Sequence, residues 1–231
     1  MTINLPQITI DSAKYSSKAE LLVIGGGRTP AADWLKKAAA GRKIWCIDHG
    51  IDICHQLSLP PAMLIGDADS AAPKAWQWAE NTINAKVEKH PVKKDLTDTQ
   101  LTLEKLASQK ETIIFTGAFG HRFDHTFSTI FSVAYSQNVS CLADDKELLV
   151  ILKDNEAASF TFKNKPKAIS LLPLTASCKG VTMQNVYWPL DSATLTQEQT
   201  YAVSNELTDI NNKVTLSLKK GILGFYCCFS E

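Results

Sequence analysis

Two aspartates, Asp67 and Asp69, follow the apolar run Met63, Leu64 and Ile65 with a single glycine, Gly66, between them. Hydrophobic residues that give way at once to carboxylates mark a buried strand carrying acids to the carboxyl edge of a sheet. If the chain stays extended through Asp69, the two side chains share one side, about 6 to 7 Å apart. Oxygen donors at that spacing can share one divalent cation or hold two. The stretch from Gly66 to Ser70 equally suits a polar turn that caps the next helix. The choice between these readings depends on what else converges here.

Other acids stand at comparable places. Asp48 ends the run Ile44 to Ile47 and is followed by His49 and Gly50. Asp95 and Asp98 open a segment whose apolar residues Leu96, Leu103, Leu106 and Ala107 share one helix face, with Asp95 expected at the N-cap and Asp98 at the third helical position. Acids in a first turn are ordinary helix chemistry. Lys94 and Asp95 with a second acid three residues on also suit metal and phosphate binding, because both carboxylates leave one side of the helix start. Arg122 is expected in the first turn of a helix with a face of Phe123, Phe127, Ile130, Phe131 and Ala134, behind the glycine-containing turn from Gly117 to Gly120. His121 and His125 beside it suit caps or packing as well as catalysis. Asp48, Asp67, Asp69, Asp95 and Asp98 on one rim would repel one another without a cation, and oxygen donors with few histidines favour Mg2+. With Lys94 and Arg122 to meet phosphate oxygens, this set suits transfer of a phosphoryl or pyrophosphoryl group from a nucleotide.

The elements that must position these residues read as alternating strands and helices. Strand patterns at 21–24, 43–47, 62–65, around Val87, 112–116 and 139–142 alternate with helical stretches, among them 31–40 and 71–83. That succession predicts a mostly parallel, Rossmann-like α/β domain over residues 1–143. Gly25, Gly26 and Gly27 after the first strand suggest a phosphate cradle, yet they lack the lysine of a Walker loop and the third glycine of a dinucleotide fingerprint. Beyond residue 145 the helical period stops. Seven short runs rich in branched and aromatic residues, at 147–152, 158–162, 168–172, 180–187, 200–204, 213–218 and 222–229, predict an antiparallel β-sandwich over residues 146–231.

Composition bounds the partners. The 231 residues are 45% hydrophobic, ample for a packed core, and 24 basic against 24 acidic residues leave no net charge to recruit nucleic acid or an anionic membrane. No apolar run approaches the ~18 residues of a membrane span and residues 1–11 do not read as a leader, so the expected location is cytoplasmic. The six cysteines include no C-x-x-C pair, which argues against structural zinc and for free thiols in a reducing compartment.

Taken in order, the motifs resemble those of the thiamine pyrophosphokinase family. They are Asp48-His49-Gly50, Gly66-Asp67-Ala68-Asp69-Ser70, Lys94-Asp95-Leu96-Thr97-Asp98 and the stretch from Gly117 to His125, then Ser170 to Leu174, Trp188-Pro189-Leu190 and Ser204-Asn205-Glu206. The resemblance spans nearly the whole chain. It implies Mg2+-dependent transfer of the terminal pyrophosphate of ATP to the hydroxyl of thiamine, giving thiamine pyrophosphate and AMP. On that reading Asp67, Asp69, Asp95 and Asp98 are catalytic and join Asp48 as metal ligands, while Lys94, Arg122, Asp124 and His125 bind ATP phosphates. The second domain binds thiamine through Trp188, Ser204 and Asn205 and forms a homodimer with the acceptor at the subunit interface. An indole face offers stacking and cation–π contact to a thiazolium, although Trp188 before Pro189 also suits an anchor of the β core. His49 and His121 stand where the family has glycine, and Ala68 where it has an aromatic. Two other readings share these motifs: the same transfer to another heterocyclic alcohol such as a hydroxymethyl pterin, or a nucleotide-binding module without turnover.

Overall fold

In the computed structural model, residues 2–14, 20–108, 111–120, 122–136, 138–208 and 210–230 are described. His121 lies outside them. The chain divides into two compact units, one of residues 18–144 and one of residues 1–17 with 145–231.

The strands β1 (Thr2–Asn4) and β2 (Ile8–Ser12) come first, and β3 (Glu20–Ile24) opens the first of these units. Then follow α1 (Ala32–Ala39), β4 (Lys43–Ile47), α2 (Gly50–Leu57), β5 (Met63–Gly66), α3 (Pro73–Asn81), β6 (Lys86–Lys89), α4 (Asp98–Leu106), β7 (Thr112–Thr116), α5 (Phe123–Tyr135) and β8 (Val139–Ala143). Within this unit the strands lie in the order β8-β7-β3-β4-β5-β6, every neighbouring pair parallel. Continuous apolar runs such as Ile113, Ile114 and Phe115 are buried because a parallel sheet is covered on both faces. The order doubles back between β3 and β7. Such a reversal opens a crevice at the carboxyl ends of the strands, where doubly wound sheets bind ligands.

Two local features depart from expectation. Helix α4 is capped by Thr97, whose side chain accepts from the Gln100 N–H while the Gln100 side chain accepts from the Thr97 N–H. Asp95 is therefore not the cap, and Asp98 is the first helical residue rather than the third. Thr-x-x-Gln is a capping box, which satisfies two backbone donors where an aspartate cap satisfies one. Along α5 only Val133 and Ala134 are buried, while Phe123 is 79% exposed and Phe127 and Tyr135 are also exposed. The expected apolar face grades from exposed to buried: Phe123 and Phe127 are exposed, Ile130 and Phe131 half-buried and Ala134 buried, with ring contacts of 5.9 Å from Phe123 to Phe127 and 4.7 Å from Phe127 to Phe131.

The other unit adds β9 (Glu147–Leu152), β10 (Ala157–Phe162), β11 (Ala168–Pro173), β12 (Ser177–Gln184), β13 (Leu190–Thr196), β14 (Lys213–Ser217) and β15 (Leu223–Cys228). Its strands form a six-stranded antiparallel sheet in the order β1-β2-β10-β14-β12-β13 and an antiparallel β11-β15-β9 set. Alternating inward residues fill the space between, with Phe160 stacked on Phe225 at 3.8 Å. Among its described residues there is no helix.

The expected domain start at residue 1 is corrected here, because β2 pairs with β10 and carries the N-terminal residues into the β unit. Ile8 and Ile10 alternate with Thr9 and Asp11, the period of a half-buried antiparallel strand rather than a buried parallel one. Residues 200–204 do not form a strand, and β13, unexpected from its sequence, does. As an edge strand with a mostly exposed face, Leu190–Thr196 has little hydrophobic alternation to show. The six cysteines are free thiols, and among the described residues no helix is long and apolar enough to cross a membrane.

Candidate active site

The carboxyl edge of the parallel sheet holds a cleft of about 560 Å3. Its walls are the turns that follow β3, β4, β5 and β7 and the starts of α4 and α5. Asp48 follows β4 in a left-handed conformation, φ 44°. Its N–H donates to the Ile65 carbonyl at 2.9 Å and its Oδ1 accepts from the Asp67 N–H at 3.1 Å, so the ends of β4 and β5 are laced together. Gly66 makes this possible. A Cβ there would stand 1.9 Å from Asp48 Oδ1.

Asp67 and Asp98 are bridged by Lys94, whose Nζ lies 3.0 Å from Asp67 Oδ2 and 2.9 Å from Asp98 Oδ2. Carboxylate oxygens of Asp48, Asp67 and Asp98 all lie within 4.8 Å of one another. The remaining oxygen of Asp98, Oδ1, is buried without a hydrogen-bond partner. Burial, then the charge of Asp98, pushes Asp48 up to about 7. Burial also opposes ionisation of Asp67, but the Lys94 ammonium and the Asp69 N–H outweigh it and hold that carboxyl below its usual range. An acid cluster that keeps one member reluctant to ionise and leaves one oxygen unpaired fits a hard divalent cation such as Mg2+.

The five acids named from the sequence therefore divide. Asp48, Asp67 and Asp98 meet. Asp69 is exposed and turned to its neighbour: its N–H donates to Asp67 Oδ1 at 3.2 Å, and its carboxyl, hydrogen-bonded to Asp67, is raised. Asp95 is exposed and lines the cleft outside the triad.

On the opposite wall Arg122 is the N-cap residue of α5 rather than part of its first turn. Its Nε and Nη2 donate to Asp124 Oδ1 and Oδ2 at 3.1 and 2.6 Å. Asp124 thus holds the guanidinium, and an anion so placed does not itself receive a phosphate. His125 and Arg122 line the cleft, as do the hydroxyl residues Thr97, Thr99, Thr126 and Thr129. Those threonines were not singled out from the sequence; for Thr97 the capping-box spacing was a usable signal.

The glycine loop is less of a cradle than its composition suggests. The N–H groups of Gly25 and Gly27 donate to the carbonyls of Thr116 and Gly117, at 2.8 and 2.7 Å, and so pin the loop to the end of β7. Gly26 lies against the imidazole of His49, 3.6 Å from where its Cβ would be.

In the β unit, a second concavity of about 560 Å3 is lined by Met183, Trp188, Leu190, Tyr201, Val203 and Ser204, with Asn205 at its base. Trp188 is 57% exposed, so it is not an anchor of the core, and Tyr187 stands edge-on to it at 4.6 Å. Asn205 is committed first to the backbone around Trp188. Its Oδ1 accepts from the N–H groups of Trp188 and Glu206, and its Nδ2 donates to the Trp188 carbonyl at 2.8 Å. The amide oxygen and one of the two Nδ2 hydrogens are spent on positioning Trp188, which leaves a single N–H for a ligand. Ser204, at φ 58°, donates its N–H to Ser170 Oγ and is exposed.

Comparison with known proteins bears on both sites. Residues 35–143 match the family model described as thiamin pyrophosphokinase, catalytic domain, and residues 154–223 match thiamin pyrophosphokinase, vitamin B1 binding domain. Among curated protein sequences none matches significantly. Solved structures with the same fold include thiamine pyrophosphokinase from Bacillus subtilis, 23% identical with a TM-score of 0.77, covering 92% of this chain and 100% of that one. Another, thiamin pyrophosphokinase from Candida albicans, is 14% identical with a TM-score of 0.75, covering 99% of this chain and 95% of that one. The two family models cover well over half of the chain, in the order and on the units that carry the acid cleft and the tryptophan pocket. On that ground the chain belongs to the thiamin pyrophosphokinase family of enzymes.

Proposed function

We propose that this protein is a Mg2+-dependent thiamine pyrophosphokinase, with a Rossmann-like domain that binds ATP and a β-sandwich domain that binds thiamine. The observation that carries the reading is the triad of Asp48, Asp67 and Asp98 around an unpaired carboxylate oxygen, with Lys94 between two of its members. Asp48, Asp67 and Asp98 would hold the metal, with Asp69 and Asp95 at its margin. When bound, Mg2+ neutralises phosphate charge and orients the pyrophosphoryl group.

The chain's own residues supply the rest. Lys94, already poised as a cation between two carboxylates, follows the charge that develops on the transferred phosphates. Arg122 and His125 face the same cleft from the start of α5, with Asp124 holding the guanidinium in place. The thiamine hydroxyl oxygen forms a bond to the β-phosphorus as the bridge to the α-phosphate breaks. AMP leaves, and the hydroxyl proton is released. Trp188 offers its exposed face to the cationic thiazolium or the aminopyrimidine, and Ser204 a free-standing hydroxyl beside it. Asn205 serves the acceptor through Trp188.

A homodimer that completes the acceptor site is part of this reading. The exposed Phe123 and Phe127 on α5 and, separately in the β unit, the exposed Tyr187, Trp188, Tyr201 and Val203 support it, since exposed apolar clusters of this kind mark interaction sites. The test is incubation with ATP, Mg2+ and thiamine, with mass detection of AMP and thiamine pyrophosphate. Both products are expected. AMP formed only with a hydroxymethyl pterin would replace thiamine as acceptor, and nucleotide binding without AMP would leave a module without turnover.

A further inference from the structure

The glycine loop after β3 forms one wall of the cleft, and a charged pair outside the acid cluster anchors the residue that follows it. Arg28, the residue after Gly27, donates its N–H to the Phe119 carbonyl at 2.6 Å. Its guanidinium turns away and donates through Nε and Nη2 to Asp144 Oδ2, at 3.0 and 2.6 Å. Asp144 follows β8 and its side chain is wholly buried. Gly120 lies against Arg28, so closely that a Cβ there would come within 2.8 Å of Arg28 Cβ. Arg28 is thus gripped by the turn after β7 and by the acid after β8, and all three belong to the same unit.

We propose that Arg28 and Asp144 are positioning residues for the nucleotide wall of the cleft, anchoring the end of the Gly25–Gly27 turn to the end of β8 without touching substrate. Two physical points favour this over a purely structural ion pair. Asp144 is wholly buried while the Arg28 side chain is 29% exposed, and an ion pair with one buried member seldom stabilises a fold more than apolar residues of similar volume would, whereas two directed hydrogen bonds fix the direction from which the loop is held. The turns also have no slack, since a Cβ on Gly27 would stand 2.5 Å from the Gly117 carbonyl oxygen. Where contacts are this close, a shift of about 1 Å in a binding wall can cost on the order of a hundredfold in rate.

The proposal rests on the nucleotide-binding part of the proposed function, and the experiment separates the two. Arg28→Lys and Asp144→Asn are compared with the wild-type chain for binding of Mg2+ with a non-hydrolysable ATP analogue by calorimetry. Mn2+ binding by electron paramagnetic resonance, the KM values for ATP and thiamine, and Tm are followed in parallel. Expected are a weakening of analogue binding and a rise in ATP KM of about tenfold or more, with thiamine KM and Mn2+ affinity unchanged. Variants that fold and bind the analogue as the wild type does, however much Tm falls, would overturn the proposal while leaving the pyrophosphokinase reading intact. A wild-type chain that binds the analogue but makes no AMP would overturn that reading and leave the positioning role standing. No binding by the wild type would overturn both. If Asp144→Asn does not fold, Arg28→Lys decides, because it keeps a cation beside Asp144 and removes only the two-pronged hold.

Discussion

Asp48, Asp67 and Asp98 are each compensated differently: Asp67 by Lys94 and the Asp69 N–H, Asp98 by Lys94 on one oxygen alone, and Asp48 by a reluctance to ionise that burial and the Asp98 charge impose. Removing a charge should therefore harm the reaction more than the fold. Asp67→Asn and Asp98→Asn are each expected to lower turnover on the order of a hundredfold or more at saturating Mg2+, with circular dichroism unchanged. Near-full activity in either variant would remove the triad from the mechanism. The pH dependence follows from Asp48, pushed up to about 7 from an ordinary value near 3.8. Between those two values the metal-free folded chain retains a proton that the unfolded chain has released. Its stability should therefore fall as pH rises through that window and level off above about 7. Mg2+ competes with that proton, so its affinity should weaken as pH falls below about 7. Melting curves from pH 4 to 8 with EDTA and with Mg2+ test both signs. Because acids held below their usual range, such as Asp67, pull the other way at the acid end, a metal-free Tm that varies with pH no differently in the wild type than in Asp48→Asn would contradict the first sign.

Among the elements, the turns and helix starts carry the site, and two substitutions probe how. Gly66→Ala would place a methyl group on Asp48 Oδ1, so the β5 turn or the Asp48 carboxylate must move. The expected result is loss of most metal affinity in a chain that still folds, read by Mn2+ titration. Thr97→Ala removes the cap of α4 and should cost about 1 kcal/mol in urea unfolding. Because Asp98 is the first helical residue after that cap, fraying there should also weaken metal binding several-fold. A Thr97→Ser variant, which keeps the capping oxygen, should restore both. The cap was readable as Thr-x-x-Gln. Asp95 is an equally good cap by residue type, and only the hydrogen bonds separate the two.

For the whole molecule, acceptor chemistry and nucleotide chemistry should be separable by mutation. Trp188→Leu is expected to raise the KM for thiamine at least tenfold with the ATP KM and Tm little changed, since the indole is exposed and contributes little to the core. Asn205→Ala should do both, lowering stability by about 1 to 3 kcal/mol as the Trp188 backbone loses its partners, and raising thiamine KM with it. A monomer in solution that turns over thiamine normally would exclude the shared acceptor site. Much of this was legible in the chain itself. The alternation of strand and helix to residue 143, the change to short strands beyond 145 and the carboxylates at strand ends follow from period and turn chemistry, which are local. Local rules say which side of a strand or helix a residue takes, but not which other segment stands opposite. So the tertiary structure decided that three of five acids meet and that Asn205 serves Trp188. It also decided that residues 8–12 pair with 158–162 and that Arg28 finds Asp144 more than a hundred residues away. Each of these is a pairing between segments distant in sequence, settled by sheet order and by which buried groups must find partners when the layers close.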